Sequence, residues 1–144
     1  LLREDAVVAL QEHLIPRARV ITPNLPEAEV LAGHAILSLE ALREAAREIG
    51  ERFGVACALK GGHLEADTAT VVDVLYDAGS VDVFETPRVA VQETHGTGCT
   101  FSAVVAAELA LGRSLKEAVA RAQVFVAAAL SGALSVGDHT PLGV

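Results

Sequence analysis

The sequence contains no methionine, only two cysteines and fewer basic than acidic residues, and each shortage removes a class of reading. A complete translation product begins with Met, whereas these 144 residues open Leu1-Leu2-Arg3, so a trimmed chain or a piece of a longer one is expected. Cys57 and Cys99 are too few for a disulfide scaffold, which points to a reducing, cytoplasmic setting. Lys and Arg number 11 against 19 Asp and Glu, giving a formal charge of −8 and an isoelectric point near 5.0. That balance lacks the basic footprint needed to neutralise a phosphate backbone, so nucleic acid is set aside as a partner. Mean hydropathy is +0.42, yet the apolar stretches 101–111 and 118–134 are broken by Glu108 and by Arg121 and Gln123. Neither offers the roughly 18 apolar residues that a membrane span needs. No basic segment ahead of an apolar one suggests export.

What the chain does hold is core-forming material. Hydrophobic residues make up 51% and charged residues 21%, enough for one packed domain and too apolar for wholesale disorder. There is no internal repeat and no linker that would divide domains. Residues 4–15 read as a helix closed by Pro16, and Val20-Ile21-Thr22 as a short buried strand. A short helix runs from about Pro26 to Leu31 and stops at Gly33. Ser38 caps the next, whose Leu39, Leu42, Ala46, Ile49 and Phe53 recur at steps of three and four; Gly54 ends it. Val55–Lys60 has the look of a strand buried on both faces. Ala69–Tyr76 and Val81–Thr86 flank Asp77-Ala78-Gly79-Ser80, a hairpin with a four-residue turn. Thr94–Gly98 opens a helix to about Leu111, ended by Gly112, and the capping box Ser114-Leu115-Lys116-Glu117 starts a last helix to about Leu134. Strands alternating with helices, then a hairpin, then two helices argue for a layered α/β fold.

Three short stretches could carry chemistry. In Thr94-His95-Gly96-Thr97-Gly98-Cys99-Thr100, two glycines bracket a threonine where irregular chain becomes helix. The first amides of a helix have no partner within it, and the dipole adds partial positive charge, so such a turn suits an anion. Cys99, near that end, would have its thiolate stabilised and could accept a proton. The same residues also read as an ordinary glycine-rich turn with a small buried cysteine. The third glycine of a dinucleotide fingerprint is missing, since Phe101 stands in its place, and no GxxxxGK[ST] loop occurs. In Lys60-Gly61-Gly62-His63, a strand ends in a lysine able to neutralise phosphate oxygens, or simply in a solvated lysine before a tight turn. In Asn24-Leu25-Pro26-Glu27, an amide and a carboxylate three apart suit hydrated Mg²⁺, and equally suit a helix cap. The five histidines show no paired metal-ligand spacing.

Taken in order, Thr22-Pro23-Asn24-Leu25-Pro26-Glu27-Ala28-Glu29, Leu59-Lys60-Gly61-Gly62-His63 and His95-Gly96-Thr97-Gly98-Cys99-Thr100 resemble the ribokinase-like superfamily. More narrowly, the chain is similar over essentially its whole length to the hydroxymethylpyrimidine/phosphomethylpyrimidine kinases of thiamine biosynthesis. The resemblance implies a three-layer α/β/α fold with a mostly parallel central sheet and a β-hairpin at one edge. It implies that residues 1–144 are the C-terminal part of a single kinase domain whose N-terminal half, with most of the acceptor pocket, is absent. The implied activity is ATP-dependent phosphorylation of hydroxymethylpyrimidine and then of its monophosphate. Gly96, Thr97, Gly98 and Cys99 would form the anion hole, with Cys99 taking the substrate hydroxyl's proton. Lys60 would contact ATP phosphates, Thr94 and His95 would border the nucleotide, and Asn24 and Glu27 would organise Mg²⁺ through waters. A Cys after Gly98, where most of the superfamily has Asp, favours the vitamin-precursor branch; pyridoxal kinase is the near alternative and a non-catalytic binding module the distant one. The partner is a small molecule, with no nucleic acid and no membrane, and a homo-oligomer is the expected state; the raw edge of a half-sheet points to a longer polypeptide or to a partner.

Overall fold

The computed structural model describes residues 4–62, 64, 69–89 and 96–132. They fall into two compact units: the described residues up to Leu64 with Val72–Val83, and residues 69–71 with the described residues from Phe84 onward.

The first unit begins with α1 (Glu4–Ala9), which does not run evenly to Pro16 as expected. It widens into a π turn over Leu10–Leu14, where the Ile15 N–H reaches Leu10 O, and tightens into a 3₁₀ turn over Ile15–Arg17 that contains Pro16. Proline has no N–H to donate and its ring crowds the carbonyl four residues back, so a regular ladder cannot pass through it. β1 is only Val20–Ile21, and it is half-buried rather than buried. α2 (Leu25–Ala32) ends at Gly33, whose φ of 83° is the left-handed region that glycine enters without strain. α3 (Leu39–Phe53) starts where Ser38 Oγ accepts the Ala41 N–H at 3.1 Å. Its expected apolar face is largely there: Leu42, Ala46 and Ile49 are buried, Phe53 is half-buried under the Arg52 guanidinium, and Leu39 lies outside.

β2 (Ala56–Lys60), β3 (Thr70–Asp77) and β4 (Ser80–Pro87) complete a sheet of order β1-β2-β3-β4. β1 runs parallel to β2, with Val20 opposite Ala56, and β2 runs antiparallel to β3, from Cys57 opposite Tyr76 to Lys60 opposite Asp73. Among the described residues the sheet is therefore mixed, its single parallel pair lying at the β1 end. Alternation sets the faces: Cys57 and Leu59 of β2 and Val74 and Tyr76 of β3 join Ala28, Leu31, Leu42, Ala46 and Ile49 in one core. Ala56, Ala58 and Leu75, on the opposite face, are also buried, as a strand buried on both faces requires. The hairpin turn is shorter than expected. Only Ala78 and Gly79 separate the strands, with φ of 49° and 89°, so the turn has the primed geometry whose twist matches that of the strands.

The second unit is carried by α4 (Thr97–Ala110) and α5 (Leu115–Ser131), which pack against each other and bury Phe101, Val105, Leu115, Ala118, Val119 and Ala122. Glu108 ties the pair together, accepting from Arg121 Nε at 2.9 Å and from Arg113 Nε. Gln123 Nε2 donates to Phe84 O at 3.2 Å, and the Arg88 N–H donates to Ala69 O at 2.8 Å. The expected capping box opens α5: Ser114 Oγ accepts the Glu117 N–H and Glu117 Oε2 accepts the Ser114 N–H. The helix ends three residues before Leu134, with Gly132 as its C-cap. No helix among the described residues is long and apolar enough to cross a membrane.

Candidate functional site

Asn24, Glu27 and Lys60 come together in the first unit. Pro26, in the first turn of α2, needs no hydrogen-bond donor there, and Asn24 stands just outside it in extended conformation. Asn24 Oδ1 accepts the Glu27 N–H at 2.9 Å, and Glu27 Oε2 accepts the Asn24 N–H at 2.8 Å. Both readings of this tetrapeptide were open in the sequence, and the reciprocal cap is formed. It occupies the Asn24 oxygen and one Glu27 oxygen, so this pair is not arranged for direct metal ligation. Glu27 is exposed, however, and its second oxygen leaves room for a cation held through its own water shell, the usual habit of Mg²⁺. Lys60, the last residue of β2, forms a parallel bridge with Asn24, and its N–H donates to Pro23 O at 2.9 Å. The strand that carries the lysine and the loop that carries the cap thus share a backbone link.

Behind Lys60 stands a residue that the sequence reading passed over. Asp73 lies opposite Lys60 in the β2–β3 register, is only 6% exposed, and its Oδ1 accepts the Gly61 N–H at 3.0 Å. A carboxylate inside the apolar run Val71-Val72-Asp73-Val74-Leu75 was the signal that could have found it. Buried polar groups persist where hydrogen bonds compensate the lost water. Gly61 is itself forced: a Cβ there would collide with the Val72 carbonyl oxygen and stand 2.7 Å from Leu42 Cδ2.

Gly96, Thr97, Gly98 and Cys99 form the start of α4 in the second unit. Gly96 is the N-cap, with φ of 93°, and as a glycine it offers no side chain to cap the helix; among the described residues no side-chain cap bond is made there. The ladder begins with the Thr100 N–H on Gly96 O at 2.9 Å, so the amides of Thr97, Gly98 and Cys99 precede it. No acidic residue sits in the first turn to offset the positive end of the dipole. Cys99 is exposed there, whereas Cys57 is fully buried and burial pushes its thiol up to about 12. Of the two thiols, only Cys99 is placed for chemistry. Thr94 and His95, expected to border a nucleotide, lie outside the described residues.

Comparison with known proteins gives this arrangement a context. The family model for phosphomethylpyrimidine kinase matches residues 1–142. A hydroxymethylpyrimidine/phosphomethylpyrimidine kinase of Haemophilus influenzae is 43% identical over 144 residues, covering 98% of this chain and 54% of the kinase. The thiamine biosynthesis bifunctional protein ThiED of Geobacter sulfurreducens is also 43% identical, over 99% of this chain and 29% of that protein. Among solved structures, a Staphylococcus aureus pyridoxal kinase in complex with AMP-PCP superposes with a TM-score of 0.90 at 36% identity, over 96% of this chain and 51% of that one. The chain therefore spans about half the length of these kinases, or less in the bifunctional protein, and its α/β fold is the expected ribokinase-like one. Matched by the family's model from end to nearly end and by relatives 43% identical over almost all of its length, the chain belongs to the phosphomethylpyrimidine kinase family.

Proposed function

We propose that the protein carrying this chain transfers a phosphoryl group from ATP to hydroxymethylpyrimidine and then to its monophosphate, in thiamine biosynthesis. The observation that carries this reading is the start of α4: three leading amides behind a left-handed glycine that has no side chain to cap them, with no acidic residue in the first turn. Such an end stabilises charge that develops on a migrating phosphoryl group, and positioning with electrostatic stabilisation supplies most of the catalysis in this reaction class. Bound ATP with Mg²⁺ would supply the transferable group and neutralise its charge. Lys60 would contact the phosphates as a point charge, and Thr94 and His95 would border the nucleotide. Asn24 and Glu27 would hold Mg²⁺ through its waters, the Glu27 outer oxygen being the available acceptor. Gly96, Thr97, Gly98 and Cys99 would form the anion hole, and the exposed Cys99 sulfur would take the proton from the acceptor's hydroxyl. A thiol in that role works in a reducing compartment such as the cytoplasm.

Turnover of ATP with hydroxymethylpyrimidine, its monophosphate and pyridoxal tests the reading. Removing anion-hole character should cost about 10²-fold or more, so Gly98→Val should abolish detectable turnover, whereas Cys99→Ser should retain part of it. A fully active Gly98→Val protein would overturn the anion-hole assignment. The superposition on a pyridoxal kinase supports a second reading, phosphorylation of a pyridine alcohol, and faster turnover of pyridoxal than of either pyrimidine would establish it. Calorimetric binding of ATP with Mg²⁺ but no turnover of any acceptor would instead indicate a binding module. Light scattering of the same protein tests the expected homo-oligomer.

A further inference from the structure

The β2–β3 ladder stops at the pair Lys60–Asp73, and the next amide along β2, that of buried Gly61, needs another acceptor. It finds one in the Asp73 carboxylate, at 3.0 Å. Just before it, the Lys60 N–H is held by Pro23 O at 2.9 Å. The α-carbon of Lys60 therefore sits between two anchored amides, one tied to the loop before α2 and the other to a buried side chain on β3. Gly61 cannot relax sideways, because the Val72 carbonyl and Leu42 fill the space beside it.

We infer that Asp73 is the positioning residue for Lys60: by accepting the Gly61 N–H, it fixes the Lys60–Gly61 peptide plane and so the direction in which the lysine leaves β2 toward nucleotide phosphates. This rests on the proposed role of Lys60. A buried acceptor suits the task, because the Gly61 amide it holds is itself out of reach of water. An apolar residue at position 73 would leave the buried Gly61 amide without an acceptor, and the exit from β2 would become free to turn. Asp73 touches neither substrate nor nucleotide in this scheme; it acts through the backbone.

The test compares Asp73→Ala, Asp73→Asn and Lys60→Ala in the full protein, by amide exchange at Gly61 and by calorimetric affinity for a non-hydrolysable ATP analogue. In Asp73→Ala, Gly61 exchange should accelerate and nucleotide affinity fall about tenfold, the effect of one unsatisfied buried donor, while KM for the acceptor stays unchanged. Asp73→Asn keeps an oxygen in place and should recover most of both. Faster Gly61 exchange with wild-type nucleotide affinity would overturn the inference, as would an unchanged Gly61 amide. If Asp73→Ala does not fold, Asp73→Ser replaces it: its shorter hydroxyl should lose the affinity that Asn keeps, and equal affinities for the two would refute the positioning role. Lys60→Ala with wild-type affinity would instead overturn the proposed function of Lys60, and the Gly61 exchange of the Asp73 variants would still report whether the peptide is held.

Discussion

A methyl group at Gly61 and one at Gly96 would fail for different reasons. At Gly61 there is no room, so Gly61→Ala should destabilise by about 1–3 kcal/mol through overpacking, read as a lower urea midpoint. At Gly96 no described atom lies within 4 Å of where a Cβ would stand, and it is the φ of 93° that resists. Gly96→Ala should therefore cost about 1–2 kcal/mol, the ordinary penalty for a left-handed L-residue. The two cysteines differ as sharply. An aromatic disulfide reagent should titrate Cys99 alone in the folded protein and reach Cys57 only after denaturation, because Cys57 is buried with its thiol pushed up to about 12. Two thiols reacting at equal rates under native conditions would contradict the buried placement. At this scale the sequence was informative wherever the backbone geometry is local. Gly96, Lys60 and the Asn24–Glu27 pair announce themselves in a few letters. Asp73 and Gly50 do not, since each depends on a distant strand: Asp73 on the Gly61 amide it accepts, and Gly50 on the Tyr76 ring that covers it.

Helix starts were the most legible elements, and for the same reason. Ser38, Asn24 and Ser114 all cap the helices expected of them, because a cap is decided by residues three apart. Ser38→Ala should lower stability by about 1 kcal/mol, measured by denaturant unfolding, with Ser38→Gly losing less. The less legible features involve competition between local rules. The segment from Glu4 carries a helical pattern that Pro16 interrupts, and the chain resolves the conflict by changing pitch twice, which periodicity alone does not show. The short hairpin turn was hidden because Ala78 is not a residue that announces a left-handed backbone. In the α4–α5 pair, the Glu108 carboxyl is held below its ordinary value by hydrogen bonds from Arg121 and then Arg113. Glu108→Gln should therefore weaken the pairing near neutral pH and leave stability less sensitive to acid, as a series of thermal melts would show.

For the whole molecule, opposite pH dependences reside in the two units. The carboxyls of Glu108 and Glu117 are both lowered on folding, Glu117 first by the Ser114 hydroxyl in the cap. Their contribution is complete above the ordinary value of 4.5 and is lost as pH falls through the folded values. His34 behaves inversely. Its ring faces Glu48 at 2.9 Å and the Ala35 carbonyl at 3.2 Å, two acceptors that favour the doubly protonated ring and raise its value above 6.5. That contribution is complete below 6.5 and is lost as pH rises through the folded value, so His34→Gln should selectively flatten the neutral-to-alkaline limb of a stability profile. The strand order could be drafted from the sequence only in outline, because pairing partners are chosen across the chain. That β1 would shrink to two residues followed from no local signal.

Ala78 offers an engineering opening. An alanine holding φ of 49° beside Gly79 gives up free energy that asparagine or glycine would not, and nothing in the proposed chemistry depends on it. Replacing it with Asn should raise the melting temperature, making this bend the natural first target for anyone wanting a hardier protein.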